Sequence, residues 1–192
     1  MIKKYPKVLI GEICYLTPIS SEFIEKYYLW INDPEVTDTL IINPPMILEQ
    51  EEKWFELLIS RKNTYLFNIM TNDNKIIGNT GMHNINGIDR NADFGIMIGE
   101  KDYWGKGYGT EVTKLMLIYG FYHLNLHSIY LNVYSYNKKG IRAYEKAGYK
   151  QDGVIRQNKF YRGIYQDTIL MSAIRDEWKV PDTLRKLNLL DR

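Results

Sequence analysis

A glycine-rich segment at residues 103–110 constrains the fold more than any other part of the chain. It reads Tyr-Trp-Gly-Lys-Gly-Tyr-Gly-Thr, follows an apolar stretch typical of a strand (94–98), and precedes a helix pattern. Glycine lets the backbone adopt positive φ and come close to a ligand. The first N–H groups of the following helix lack intrahelical partners, and the helix dipole adds positive potential there. The segment therefore predicts a strand–loop–helix unit that binds a phosphate or another anion.

The spacing of these glycines excludes two common nucleotide motifs. A P-loop needs G-x-x-x-x-G-K-[ST], but here Lys106 is followed by Gly107. A dinucleotide fingerprint needs G-x-G-x-x-G and an acidic residue about 20 positions further on, whereas the next predicted strand ends in Tyr-Ser-Tyr (134–136). Residues 104–109 resemble instead the pyrophosphate loop of acyl-CoA-dependent N-acyltransferases, [QR]-x-x-G-x-[GA], with Trp104 in place of Gln or Arg. A glycine turn that only ends a strand is the other interpretation.

Composition agrees with a globular chain. Of the 192 residues, 45% are hydrophobic and 25% are charged, which predicts one domain over 1–175 and a charged tail over 176–192 that is either a short docked helix or mobile. The net charge of +2 does not favour a nucleic-acid partner, and the sequence contains no apolar run long enough to span a membrane. The single cysteine, Cys14, fits a reducing compartment, and no apolar signal core follows the first lysines. We therefore expect a cytoplasmic protein without nucleic-acid or membrane partners.

Hydrophobic periodicity predicts the element order β-α-α-β-β-β-α-β-α-β-β. Strands are expected at 10–18, 64–70, 75–83, 92–98, 128–136 and 149–156, with a last hairpin that turns at 162–163; helices are expected at about 21–31, 48–60, 107–123 and from Asn137 to Gly148. The middle strands form an antiparallel meander, and the crossover that contains the glycine loop places two strands parallel. The predicted class is α/β (α+β), with a mixed, mostly antiparallel sheet of about seven strands flanked by helices.

The first two helices and the loop between them are expected to form one wall of a substrate pocket. The last hairpin (160–165) is expected to shape the acceptor pocket together with them. The stretch 35–45 is expected to be irregular, with Pro44-Pro45 stiffening it, and helix 48–60 is expected to carry Trp54, Leu57 and Leu58 inward. The acidic residues of this region either attract an amine or are solvated helix charges: Glu35, Asp38, Glu49, Glu51 and Glu52.

A second motif follows the strand after the glycine-loop helix. Residues 137–149 resemble N-x-x-A-x-x-x-Y-x-x-x-G-[FY], a signature of the GNAT superfamily (GCN-related N-acetyltransferases), and only Gly140 departs from it. The glycine loop with Trp104, the strand end at 81–85 and the link at 124–127 resemble the RimJ/RimL-type branch. That branch includes ribosomal-protein N-terminal acetyltransferases and, more distantly, polyamine and amino-sugar acetyltransferases.

The resemblance implies a GNAT fold in which the parallel strand pair is splayed around acetyl-CoA. The cofactor would be a co-substrate held without metal, since backbone amides and a helix terminus supply the positive potential. The residues implied to bind it are Met97, Ile98, Trp104, Gly105, Lys106, Gly107, Tyr108, Gly109, Thr110, Asn137, Gly140 and Tyr144. Asn137 is at the same time a plain helix cap.

The resemblance also implies catalytic roles. Tyr144 is the candidate general acid toward the CoA thiolate, and the alternative is a core aromatic residue. Asp93 and His83 are candidates for the base that deprotonates the amine, and the alternative for each is an ordinary polar residue at a strand end. Cys14 shows no sign of activation, and the histidines lack metal-ligand spacing.

The function implied is transfer of an acetyl group from acetyl-CoA to a primary amine by direct attack in a ternary complex. The acceptor is expected to be a protein N-terminus. The alternatives are a small polyamine or amino sugar, or a non-catalytic acyl-CoA-binding sensor. A homodimer is left open.

Overall fold

One mixed sheet organises the chain. The computed structural model describes residues 5–40 and 45–188, and these form eight strands in the order β1-β2-β3-β4-β5-β6-β8-β7. The strands are β1 (Leu9–Ile10), β2 (Cys14–Pro18), β3 (Tyr65–Thr71), β4 (Ile76–Asn86), β5 (Asn91–Ile98), β6 (Ser128–Tyr134), β7 (Lys150–Tyr161) and β8 (Ile164–Ile174). The helices are α1 (Ile24–Ile31), α2 (Pro34–Thr37), α3 (Leu48–Ser60), α4 (Tyr108–Ile118), α5 (Lys138–Ala147) and α6 (Asp182–Leu187). The predicted mixed α/β class is confirmed.

The eighth strand arises because the predicted strand 10–18 is broken by a tight turn. The Glu111 carboxylate of α4 accepts hydrogen bonds from the N–H groups of Glu12 (2.8 Å), Ile13 (3.0 Å) and Cys14 (3.0 Å). A Cβ at Gly11 would clash with this carboxylate. The turn therefore depends on a contact between distant segments, and it ties α4 to the first hairpin.

The only parallel pairing among the described strands joins β5 and β6 and is short. It includes three residue pairs, of which Asp93 and Tyr130 are the last. Strand β5 then continues to Ile98 and β6 to Tyr134 without further pairing to each other. The two strands thus form a fork, as the resemblance predicted.

Each face of the sheet carries its own hydrophobic core. Successive side chains of a strand point to opposite faces, so Phe94 packs in the core on the α4 side and Met97 in the core on the α1–α3 side. The fork therefore lies between two packed layers that hold its strands in place.

The predicted inward face of α3 is wrong at two of three positions. Trp54 is 44% exposed and Leu57 is 62% exposed, whereas Leu58 is buried together with Phe55 and Glu51. Residues 51, 55 and 58 share one helical stripe, and α3 has apolar residues on both sides, so its periodicity does not select a face. Glu51 is only 1% exposed, and burial raises the pKa of its carboxyl to about 7. It is therefore not a solvated helix charge.

The stretch after α1 contains a helix where irregular structure was expected. Pro34 stands at the first position of α2, and the Asp33 side chain caps it by accepting from the Glu35 N–H (2.9 Å). Pro44 lies outside the described residues.

Residues 182–188 and the last hairpin carry more regular structure than the sequence pattern indicated. Helix α6 buries Leu184, and the Asn188 side chain forms hydrogen bonds with both the N–H and the carbonyl of Ile10 (2.9 Å each).

Strand β7 continues past residue 156 to the predicted turn, where Arg162 and Gly163 have φ of 48° and 86°. None of the described helices is both long and apolar enough to cross a membrane.

Candidate active site

A cleft of ≈ 880 Å³ lies beside the last residues of β5. Four segments line it: the end of β5 (96–98), the glycine loop, the first turns of α5, and the segment from α2 to residue 40. It therefore adjoins the fork and joins the two motifs found in the sequence.

The glycine loop has the geometry of an anion cradle. Gly105 (φ 72°) and Gly107 (φ 93°) occupy the left-handed region, and Gly107 is the N-cap of α4 without a side-chain cap. The N–H groups of Tyr108, Gly109 and Thr110 belong to the first turn of α4, which has no intrahelical acceptors for them. No described atom lies within 4 Å of a Cβ placed at Gly105 or Gly109. The open space beside Gly105 and Gly109 is thus available to a ligand.

Not every residue of the loop faces the cleft. Gly105, Gly107, Gly109 and Thr110 line it, whereas the lining, as far as the described residues show it, does not include Lys106 or Tyr108. The Tyr108 ring packs edge-on against Tyr103 (5.3 Å between centroids), and the Lys106 ammonium lies 5.9 Å from the same ring. In this arrangement the two side chains point away from the cleft lining, and an anion there would meet the backbone of the loop.

Trp104 has a clear structural role. Its indole N–H donates to the carbonyl of Ile98, the last residue of β5 (2.7 Å), and its ring packs against the core on the α1–α3 side. The neighbouring Gly99 leaves room for the Trp30 ring, with which a Cβ would clash. Trp104, which stands where the motif has Gln or Arg, thus attaches the loop to the strand. Met97 and Ile98 anchor the strand end in the two cores.

Helix α5 presents the second motif to the cleft. The Asn137 side chain accepts from the Gly140 N–H (2.8 Å), and a Cβ at residue 140 would lie 2.5 Å from Asn137 Nδ2. Gly140 thus lies directly against the capping side chain. One helical turn on, Tyr144 lines the cleft and packs edge-on against Phe94 (6.2 Å between centroids). Burial raises the pKa of Tyr144 to about 12, so its hydroxyl keeps its proton at physiological pH.

His83 and Asp93 form a cross-strand pair on the face of the sheet opposite to Phe94 and Tyr144. They stand opposite each other in β4 and β5, and Asn84 Nδ2 donates to Asp93 Oδ2 (2.7 Å). The imidazole leans over Gly95, whose Cβ position would be 3.6 Å from His83 Nε2. Neither side chain belongs to the cleft lining. Asp93 nevertheless lies at the start of the fork, and because side chains alternate it points away from Phe94 and Tyr144.

The environment of His83 favours its neutral form. Burial lowers its pKa, the Asp93 carboxylate acts in the opposite direction, and the Arg61 guanidinium lowers the pKa further. A neutral imidazole is able to accept a proton near pH 7.

Two acidic residues of the first wall reach the cleft, namely Glu35 and Asp38. Glu35 pairs with Lys101, which also pairs with Asp33 (2.8 Å). Asp38 pairs with Arg162 at the tip of the last hairpin (3.0 Å). The prediction that the last hairpin adjoins the acceptor pocket agrees with this contact, but its pairing with Asp38 and the place of Tyr136 beside the cleft were missed, since pairs about a hundred residues apart leave no local pattern. Among the described residues, no three His, Cys, Asp or Glu side chains cluster as metal ligands would.

Comparison with known proteins places this geometry in a family. The family model of the acetyltransferase (GNAT) domain matches residues 14–150. The spermidine N(1)-acetyltransferase of Escherichia coli (strain K12) is 37% identical over 94 residues, which are 49% of this chain and 50% of the relative. A putative ribosomal N-acetyltransferase of Bacillus subtilis (strain 168) is 26% identical over 107 residues, 56% of this chain and 58% of the relative. The chain thus matches only about half the length of these curated relatives.

A solved structure matches over a longer span. The spermidine N-acetyltransferase of Vibrio cholerae, in complex with CoA and spermine, has a TM-score of 0.82 and 25% identity, over 87% of this chain and 98% of that one. Fold and site together define a mixed-sheet protein with an anion cradle beside a forked parallel pair. The chain belongs to the GNAT acetyltransferase family. Since both spermidine and ribosomal acetyltransferases are among its relatives, the RimJ/RimL-type branch stays a prediction.

Proposed function

We propose that the protein is an N-acetyltransferase that transfers an acetyl group from acetyl-CoA to a primary amine in a ternary complex, and that the acceptor is a small polycationic amine. The observation that carries this proposal is the cleft itself, which joins the free amides of the glycine loop, the Tyr144 side chain and the carboxylates of Glu35 and Asp38. The relatives named for spermidine, one of them solved with CoA and spermine, support the same assignment.

The binding of acetyl-CoA would use backbone groups. The amides of residues 105–110 would hold the pyrophosphate, because a helix N-terminus and a glycine loop favour anions without metal. The edge of β5 that faces β6 has no described strand beside it beyond Asp93. Backbone groups on this edge near Met97 and Ile98 are therefore available to the pantetheine amides, except the Ile98 carbonyl, which the Trp104 indole occupies. Asn137 and Gly140 would shape the start of α5 against the cofactor. The bound acetyl-CoA supplies an activated thioester, and CoA is its leaving group.

The chain's own residues would manage the protons. The acceptor must lose a proton before it can attack, and the departing thiolate must gain one. Tyr144 holds a proton on the cleft side of the fork. His83 and Asp93 lie on the opposite face, so a base there would act through water.

If His83 is the base, the pH profile of kcat/KM will rise below the usual pKa of histidine and then level off, because only neutral His83 accepts the proton and its pKa is lowered. His83→Gln will lower kcat/KM by about 100-fold and remove this rise. Initial rates of thiol release between pH 5 and pH 8 provide the measurement, with the pH range being that over which histidine titrates.

Asp93→Asn is the matched control. It removes the charge that raises the pKa of His83, so the rise should move to lower pH while activity is retained. If Asp93→Asn abolishes activity and His83→Gln does not, the base is Asp93.

Binding of the co-substrate is tested by thermal unfolding. Acetyl-CoA at a hundred times its Kd should stabilise the fold by about 2.7 kcal/mol, or roughly 5–10 °C in Tm.

The acceptor is tested with a panel of amines. Thiol release should be fastest with spermidine and spermine. A protein N-terminus is the second candidate, favoured by the similarity to a ribosomal acetyltransferase, and faster release with peptides than with polyamines would select it. Tight binding of acetyl-CoA without turnover of any amine would indicate a sensor instead.

A further inference from the structure

The tip of the last hairpin reaches across to the acidic wall of the cleft. Arg162 Nη2 lies 3.0 Å from Asp38 Oδ1, and the two side chains are 74% and 31% exposed. Asp38 lines the cleft, whereas Arg162 stands at the β7–β8 turn. Because both groups are in contact with solvent, the ion pair is weak and readily exchanged.

Aromatic rings complete the surroundings of this ion pair. The Arg162 guanidinium lies over the Tyr161 ring (5.0 Å), and Tyr161 stacks on Tyr136 (4.8 Å, 11°). The Tyr136 hydroxyl donates to the Asp38 carbonyl (2.8 Å), which fixes the ring beside the carboxylate. The Tyr161 hydroxyl is buried and has no hydrogen-bond partner among the described residues. A carboxylate next to an aromatic face is an arrangement that binds organic cations.

We propose that Asp38, Tyr136 and Tyr161 form a subsite for a second positive charge of the acceptor, and that Arg162 occupies this subsite until the acceptor displaces it. The inference rests on the proposed function and specifies how the acceptor is selected. The Arg162 guanidinium shows that an organic cation fits this position, since it contacts both the Asp38 carboxylate and the Tyr161 ring. Asp38 is then a residue that determines specificity, while the chemistry occurs elsewhere in the cleft near Tyr144.

If the subsite exists, removing Asp38 and removing Arg162 change the affinity for a diamine in opposite directions, although the two residues form one ion pair. Loss of Asp38 removes the anion that holds the acceptor, so binding of a diamine weakens. Loss of Arg162 removes the internal competitor, so binding of a diamine strengthens. A merely structural clasp would instead weaken binding in both variants, because either change would free the hairpin tip.

The test measures amine binding directly by calorimetry on the full chain, with putrescine and n-butylamine as probes of equal carbon length. Asp38→Asn should weaken putrescine binding tenfold or more, with less than a twofold effect on n-butylamine. Arg162→Gln should strengthen putrescine binding two- to fivefold. Lys159→Gln is the matched control and should change neither affinity. Lys159 lies over the Tyr134 ring (5.3 Å), which stacks on the other side of Tyr136 (5.5 Å between centroids), whereas the cation paired with Asp38 is Arg162.

Folding and turnover are measured on the same samples. Unchanged Tm values show that each variant is folded, and added salt should reduce the difference between putrescine and n-butylamine in the wild type. The subsite is wrong if Arg162→Gln binds putrescine more weakly, or if Asp38→Asn loses the same affinity for both amines. Turnover of both amines would in that case still support the proposed function. Absence of any amine binding and of any thiol release overturns both.

Discussion

Replacing Gly109 with leucine is expected to weaken CoA binding at least 100-fold without unfolding the protein. No described atom lies within 4 Å of a Cβ at this position, yet the residue lines the cleft beside the first free amides of α4. A leucine side chain would fill the space proposed for the pyrophosphate. Displacing two hydrogen bonds to a charged group, each contributing about 1.5–3 kcal/mol, corresponds to a loss of 100-fold or more.

The same substitution should leave the free energy of unfolding of the apo protein unchanged or raise it. Leucine has a higher helix propensity than glycine by up to about 1 kcal/mol, and Gly109 lies within the first turn of α4. Gly87→Leu is the matched control, since residue 87 also has open space around it but stands in the turn between β4 and β5, away from the cleft. Calorimetric titration with CoA and thermal unfolding of both variants measure the two effects. A Gly109→Leu protein that binds CoA within tenfold of the wild type would place the pyrophosphate elsewhere.

Local patterns predicted the parts of the site that lie within one strand–loop–helix unit. Glycines at 105 and 107 have positive φ, as a tight loop requires, and the spacing from Asn137 to Tyr144 brings the cap and the hydroxyl-bearing ring to the side of α5 that lines the cleft. Such features depend on residues a few positions apart, which periodicity and turn chemistry describe well.

Contacts between distant segments escaped prediction for a physical reason. The turn at Gly11 exists because the Glu111 carboxylate binds its amides, and Asp38 is held by Arg162, 124 residues away. Nothing in either local sequence records such a partner. The prediction of the inward face of α3 failed for another reason. Trp54 and Leu57 are apolar yet exposed, and packing against α1 decides which side of the helix is buried.

The fork shows how the two kinds of information combine. The β-α-β crossover predicted that β5 and β6 would be parallel, and the resemblance implied that they separate. The structure adds the position at which their pairing stops, which is Asp93. This stop places Tyr144 on one face of the opening and the pair of His83 and Asp93 on the other. This arrangement is compatible with the two proton transfers of the proposed acetyl transfer, with Tyr144 as the proposed donor and His83 or Asp93 as the proposed acceptor.

Replacing Tyr144 with phenylalanine is expected to lower kcat by about 100-fold or more, the usual contribution of a positioned general acid. The hydroxyl is the only group removed, and the ring contact with Phe94 is retained. The KM values for acetyl-CoA and amine should therefore change by less than threefold, since an interaction made only in the transition state affects kcat alone. Because burial raises the pKa of Tyr144 to about 12, the wild-type rate should show no fall from its deprotonation at neutral or mildly alkaline pH.

Tyr149→Phe is the control that separates catalysis from packing. Tyr149 neighbours Tyr144 (6.1 Å between centroids), and its buried hydroxyl has no hydrogen-bond partner among the described residues. Removing that hydroxyl should leave kcat unchanged and stabilise the fold slightly, because a buried polar atom without a partner carries a desolvation cost of about 1–3 kcal/mol. Steady-state kinetics and thermal unfolding of both variants distinguish the roles. If Tyr144→Phe keeps kcat within threefold of the wild type, the thiolate takes its proton from solvent, and the position of Tyr144 against Phe94 reflects packing alone.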